Sequence, residues 1–223
     1  MKNEILVAAA LCVGAYFMQS CGNTNENTPK DEMETSMSQN DSKHSDKMQM
    51  DNDLMQSMSG TMGKMNEMKM TGDFDIDFAN MMIMHHQAAI DMSEVEIAKG
   101  TVARIRTMAQ NIITAQKAEI EQMQQFVNNY KMPEAKTKTA EMHHEMDETT
   151  KAMMDKMHNM KMTGNTDKDF VMMMIPHHES AVKMAENELM HGKQLELKKM
   201  AQQMITDQNK EITDLNAWLS NQK

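Results

Sequence analysis

Two adjacent histidine pairs, His85-His86 and His177-His178, are the side chains with most chemistry to offer. Each pair follows a run of thioethers, Met81 and Met82 before the first and Met173 and Met174 before the second. In a helix, residues three and four apart share a face, so Met82 lies one turn before both His85 and His86, and Met81 stacks on His85. Met92 and Met184 follow about two turns beyond the pairs. Imidazole and thioether together form a soft, neutral ligand set. Thioethers favour Cu(I), whereas imidazole also suits zinc, iron and nickel. A lone helical histidine is more often a hydrogen-bonded structural residue, and that remains the competing reading. Neutral imidazole must be free of its extra proton to bind metal. His-dependent binding is therefore expected to weaken as pH falls through the ordinary imidazole value near ~6.5.

The elements that carry these pairs come from a duplication. Shifted by 92 residues, the chain aligns with itself without a gap. Lys69-Met70-Thr71-Gly72 returns as Lys161-Met162-Thr163-Gly164, and Asp77-Phe78 returns as Asp169-Phe170. Met81-Met82-Ile83-x-His85-His86 returns as Met173-Met174-Ile175-x-His177-His178. Met92, Glu94, Glu96 and Gly100 return as Met184, Glu186, Glu188 and Gly192, and Gln116, Glu119 and Ile120 as Gln208, Glu211 and Ile212.

Each unit reads as a helical hairpin. A helix from about Asp73 to Lys99 places Phe78, Met82, His85, Ala89 and Met92 on one face. Gly100 is its expected C-cap. A second helix, with Ile105, Ala109, Ile112, Gln116, Ile120 and Met123 on its face, runs to about Tyr130 before Pro133. The second unit repeats this over about 167–191 and 193–220. Folding back at Gly100 sets His85 level with Gln116, and Met81 and Met82 level with Glu119. A ring N–H donated to Gln116, Glu119, Gln208 or Glu211 would fix the tautomer of a ligating histidine, unless these four sit at a wet rim. Pro176 replaces Met84 directly before the second pair, either bending the helix or adjusting its packing. The expected fold is all-α, a ferritin-like antiparallel four-helix bundle of two similar hairpins, with a short Met-rich helix before each, at about 53–69 and 145–161.

Composition supports a soft-metal reading. The chain has 33 methionines, while only six leucines follow residue 20. Met33, Met37, Met48 and Met50 lie in a polar stretch where no core would recruit them, so they suggest metal binding or oxidant scavenging. The net charge of −10 argues against nucleic acid, since no basic stripe exists. The N-terminal region sets the expected compartment. Lys2 and the apolar run from Ile5 to Met18 fit a secretory signal rather than a membrane span. Met18-Gln19-Ser20-Cys21-Gly22 resembles a lipoprotein cleavage box, with Cys21 the expected lipidation site; the alternative is an ordinary signal with an incidental cysteine. Cleavage there removes Cys12 and leaves no free thiol for disulfides or catalysis. The expected organisation is a signal peptide at 1–20, a disordered tether at 21–47 and a duplicated bundle at 48–223, with repeats at about 53–131 and 145–222.

The run Asp-Phe-x-x-Met-Met-Ile-x-His-His, twice over and each time followed by Gln-x-x-Glu-Ile, resembles the bacterial family called domain of unknown function 305. The resemblance spans roughly Met55 to Trp218. It implies a ferritin-like fold of two two-helix repeats in secreted or envelope proteins, some implicated in copper binding and resistance. His85, His86, His177 and His178 match the family's defining pairs. The resulting expectation is a lipid-anchored envelope protein that binds Cu(I), and also Ag(I), for sequestration, resistance or transfer to a partner protein. Its oligomeric state is open, as are other metals. Two further classes stand beside it: a copper- or iron-dependent ferritin-like oxidase, and a Met-rich oxidant scavenger. Glu141-x-x-His144 and Glu188-x-x-His191 have di-iron spacing, but neither is duplicated and both lie near helix ends.

Overall fold

Each hairpin begins at a Thr-Gly turn that needs its glycine. Gly72 and Gly164 adopt φ of 85° and 75°, the left-handed region that side chains strain to enter. An aspartate from the first turn of the following helix closes each turn. Asp77 accepts hydrogen bonds from Thr71 N (2.7 Å), Thr71 Oγ1 (2.8 Å) and Gly72 N (3.0 Å). Asp169 does the same for Thr163 and Gly164. Asp73 then caps the helix by accepting from Ile76 N, and Asn165 caps its counterpart by accepting from Lys168 N. These short-range bonds account for two otherwise unexplained buried carboxylates.

The computed structural model describes residues 53–131 and 140–222, and the side chains of residues 140–143 lie outside the description. The expected signal peptide, Cys21, the tether and its methionines all fall outside the described residues. Six helices follow: α1 (53–66), α2 (Phe74–Lys99), α3 (Ala103–Asn129), α4 (Ala140–His158), α5 (Thr166–His191) and α6 (Leu195–Leu219). Among the described residues there is no strand. Both short helices end earlier than 69 and 161, because Met68 N→Met65 O and Met160 N→Met157 O bonds tighten their last turns before the Lys-Met-Thr-Gly segments.

Helices α2 and α3 pair as one hairpin and α5 and α6 as the other, and α2 packs on α5 to join them into a bundle. The central pair must therefore be buried on several sides, and the burial pattern shows it. Phe78, Met82, Ala89 and Met92 of α2 are buried, and so are Ala79, Ala88 and Ile90 on other faces. By contrast α3 and α6 bury one stripe each, Ile105, Ala109, Ile112, Gln116, Met123 and Phe126 in α3. Full burial of Phe78 and of Phe170 contributes about 1.5–3 kcal/mol each.

The short helices are part of this core. Leu54, Met58, Met62 and Met65 form a buried stripe along α1, and Met146, Met153 and Met157 do so along α4. Thr61 of α1 donates to Asp91 of α2 at 2.7 Å, and Lys156 of α4 reaches Glu179 of α5 at 3.0 Å. The flexible thioether fills these irregular seams well. Packing thus explains several methionines that look misplaced among Ser, Gly and Lys in the sequence.

Candidate metal centre

His85 and His177 lie near the midpoints of α2 and α5, and the antiparallel packing of those helices brings them together. Their ring centroids are 3.9 Å apart, tilted by 43°. Both are fully buried, as are His86 and His178. Met81, Met82, Met173 and Met174 on the preceding turns, and Met92 and Met184 beyond, belong to the same buried core. The structure therefore brings His85 and His177 into contact, one from each repeat, and buries all four imidazoles and these six methionines in the same bundle core.

The two histidines of each pair face different ways. His86 turns to α3 and His178 to α6, where Nε2 lies 2.8 Å from Glu119 Oε2 and from Glu211 Oε2 respectively. These carboxylates are only partly exposed, at 17% and 25%. In each case the oxygen lies off the ring N–H direction. Glu119, set level with Met81 and Met82 by the sequence, instead stands beside His86, because the hairpin closes through a short extended segment rather than at Gly100 itself. Gln116 and Gln208 are buried at 2% exposure, yet neither bonds a histidine: Gln116 Oε1 and both amide atoms of Gln208 lack partners.

His85 and His177 have no well-aligned hydrogen-bond partner on any ring nitrogen. Burial, then the neighbouring histidines, hold both imidazoles well below the ordinary value of 6.5, with the His85 backbone opposing weakly at His177. The rings are neutral at physiological pH, each with a lone pair available.

Two carboxylate pairs flank the histidines, one at each end of the α2–α5 contact. Asp167, at the start of α5, accepts from Thr101 N, Thr101 Oγ1 and Val102 N (2.8 Å), capping α3 of the other repeat. Asp75, at the start of α2, accepts from Lys193 N and Gln194 N (2.7 Å), capping α6. Neither α3 nor α6 has a side-chain cap of its own. Behind each aspartate lies a fully buried glutamate, Glu96 beside Asp167 and Glu188 beside Asp75. Burial first, and the adjacent aspartate next, push both glutamates from 4.5 to about 9. Each is a neutral acid at pH 7. Against the effect of burial, the backbone N–H groups of Val102 and Thr101 hold Asp167 below the ordinary carboxylate value. Gly100 and Gly192 exist for these glutamates. Both are extended (φ −65° and −62°), but a Cβ would meet the glutamate Oε1 at 2.0 Å. The only trace of this arrangement in the sequence is that Asp75, Glu96 and Gly100 all recur at the 92-residue offset.

Among the described residues, no three His, Cys, Asp or Glu side chains converge to hold a metal ion. Glu188 is committed to Asp75, while His191 faces Glu145 at 3.3 Å, so that pair does not converge either. A family model described as "Domain of unknown function (DUF305)" matches residues 18–127 and again 75–219. The chain belongs to the DUF305 family. Among solved structures, the DUF305 fragment from Deinococcus radiodurans aligns with a TM-score of 0.50 at 22% identity, covering 66% of this chain and 95% of that one. CopM in a silver-bound form aligns with a TM-score of 0.51 at 30% identity, covering 70% of this chain and 98% of that one. No curated protein matches this DUF305 chain.

Proposed function

We propose that this protein is a soft-metal carrier of the bacterial cell envelope, binding Cu(I) foremost and Ag(I) as well. It sequesters the ion for resistance or passes it to a partner protein, and it acts as a binder rather than a catalyst. The observation that carries the reading is the His85–His177 contact, two neutral, fully buried imidazoles 3.9 Å apart whose nitrogens have no well-aligned partner. Buried polar atoms without partners are costly, and an ion is one of the few things that satisfies them. A neutral imidazole and thioether set suits a monovalent d10 ion and not a hard one. Met81, Met82, Met92, Met173, Met174 and Met184 are the thioether candidates, with Glu119 and Glu211 steadying His86 and His178. The silver-bound CopM, 30% identical across most of its length, supports the same ion class. Asp75 and Asp167 are occupied in capping helices, and among the described residues no three carboxylate or histidine side chains converge as an iron oxidase would need.

The same proposal places the bundle on a membrane through lipid at Cys21, with the polar stretch before residue 48 as spacer. None of the described helices is long and apolar enough to cross a membrane. Anaerobic Cu(I) titration against a competing chelator, with Zn(II) and Fe(II) in parallel, tests the metal reading. Tight Cu(I) binding with weak Zn(II) and Fe(II) binding is expected; preference for either divalent ion overturns it.

A further inference from the structure

A second group of thioethers lines a surface cleft together with an imidazole, and none of the four paired histidines lines that cleft. A cleft of about 540 Å³ runs between the end of α1 and the outer face of α4. Its lining includes Met65, Met68, Met70, Met154 and His158. Met154 and His158 are four apart on α4 and so share a face. His158 is exposed, and its Nδ1 donates to the Met154 carbonyl at 3.0 Å. That bond fixes the tautomer, leaving the Nε2 lone pair free, the arrangement seen around metal-ligating histidines generally. Met68, Met70 and Met154 are only partly buried, so their sulfurs sit where solvent and core meet. Asp147 and Asp155 line the same cleft against a single cation, Lys151, and give it a net attraction for positive ions.

We propose that this cleft is a second, solvent-facing site for Cu(I) or Ag(I), with His158 Nε2 and the thioethers of Met154, Met65, Met68 and Met70 as its ligand set. It shares with the buried-core reading only the class of ion. The duplication does not supply a twin, since the residue equivalent to His158 is Asn66. Among the described residues the carrier therefore has an exposed imidazole–thioether site beside a buried region that ions reach only through the protein. The exposed site is the one from which exchange with solvent or a partner is fast.

The test is Ag(I) titration of the full chain labelled with 13C at the methionine methyls and 15N in histidine, followed by NMR. The expected result is movement of the Met65, Met68, Met70 and Met154 methyls and of His158 Nε2. In His158→Asn, which installs the residue of the other repeat, the Ag(I) needed to move those methyls should rise by about tenfold or more. Met81, Met82, Met173 and Met174 should respond as before. His158 is exposed, so the variant folds; Met154→Leu, which keeps side-chain volume, provides a second reading. Cleft methyls that stay still while other methionines saturate, or that move identically in His158→Asn, overturn the proposal. Silence at Met81, Met82, Met173 and Met174 with a responding cleft would instead sink the buried-core reading alone.

Discussion

His85 and His177, 92 residues apart, meet with ring centroids 3.9 Å apart and planes tilted by 43° in the middle of the α2–α5 contact, and no ring nitrogen of either is well hydrogen-bonded. Replacing two buried, unsatisfied polar groups by apolar ones of similar size removes a cost of about 1–3 kcal/mol per group. The metal-free His85→Leu/His177→Leu protein should therefore be more stable than the parent by denaturant melting, while losing its tightest Cu(I) binding. Destabilisation with undiminished binding would show the histidines to be structural.

Each repeat contributes one imidazole to the His85–His177 contact, so neither repeat holds a complete site. Replacing His85 and His86 by Ala should remove the tightest Cu(I) binding, although His177 and His178 remain, because thioethers with fewer imidazoles form a weaker set. Replacing all four histidines should leave only weaker thioether binding. The check is competitive Cu(I) titration, with helical circular dichroism confirming that each variant is folded. Full tight binding in a folded quadruple variant counts against these residues as ligands.

The pH at which metal is lost follows from burial. His85 and His177 are held below the ordinary imidazole value, so protons compete for them less than the sequence alone suggests. Cu(I) affinity at these residues should stay level as pH falls through 6.5 and weaken only below it. A midpoint at 6.5 in the chelator competition would mean that exposed histidines carry the binding.

Stability without metal should depend on pH through a different pair of groups. Glu96 and Glu188 are raised from 4.5 to about 9. The folded state holds protons that the unfolded state releases, so their contribution is full below pH 4.5 and is lost as pH rises towards 9. The lowered histidines act in the opposite direction, but only below 6.5. Between pH 6.5 and 9 the raised glutamates give a downward slope, and the melting temperature should fall across that window. Glu96→Gln/Glu188→Gln, which keeps a donor to each aspartate, should flatten the fall. An unchanged slope would show that these carboxyls are already ionised.

Gly100 makes room for the Glu96 carboxyl rather than for a left-handed turn. Gly100→Ala should cost about 1–3 kcal/mol by overpacking, since the added Cβ would meet the buried Glu96 carboxyl at 2.0 Å and the Glu96 backbone carbonyl at 2.6 Å. Thermal melts should show Gly192→Ala behaving alike. A neutral alanine would mean that the glutamate is free to move.

Local patterning determined much of this protein. The spacing of Phe78, Met82, Ala89 and Met92 set the core face of α2, the Thr-Gly-Asp and Thr-Gly-Asn segments set where helices begin, and the 92-residue repeat required two equivalent hairpins. Those features depend on neighbours three or four residues away, which a sequence displays directly. Tertiary structure alone decided who meets whom. That His85 faces His177 while His86 faces Glu119 depends on the antiparallel docking of α2 on α5, and no short-range pattern encodes it. The same docking turns Asp75 and Asp167, which read as ordinary first-turn acids, into caps for the helices of the opposite repeat. It also makes Glu96 and Glu188 neutral, because only in the packed bundle are they out of water and beside another carboxylate.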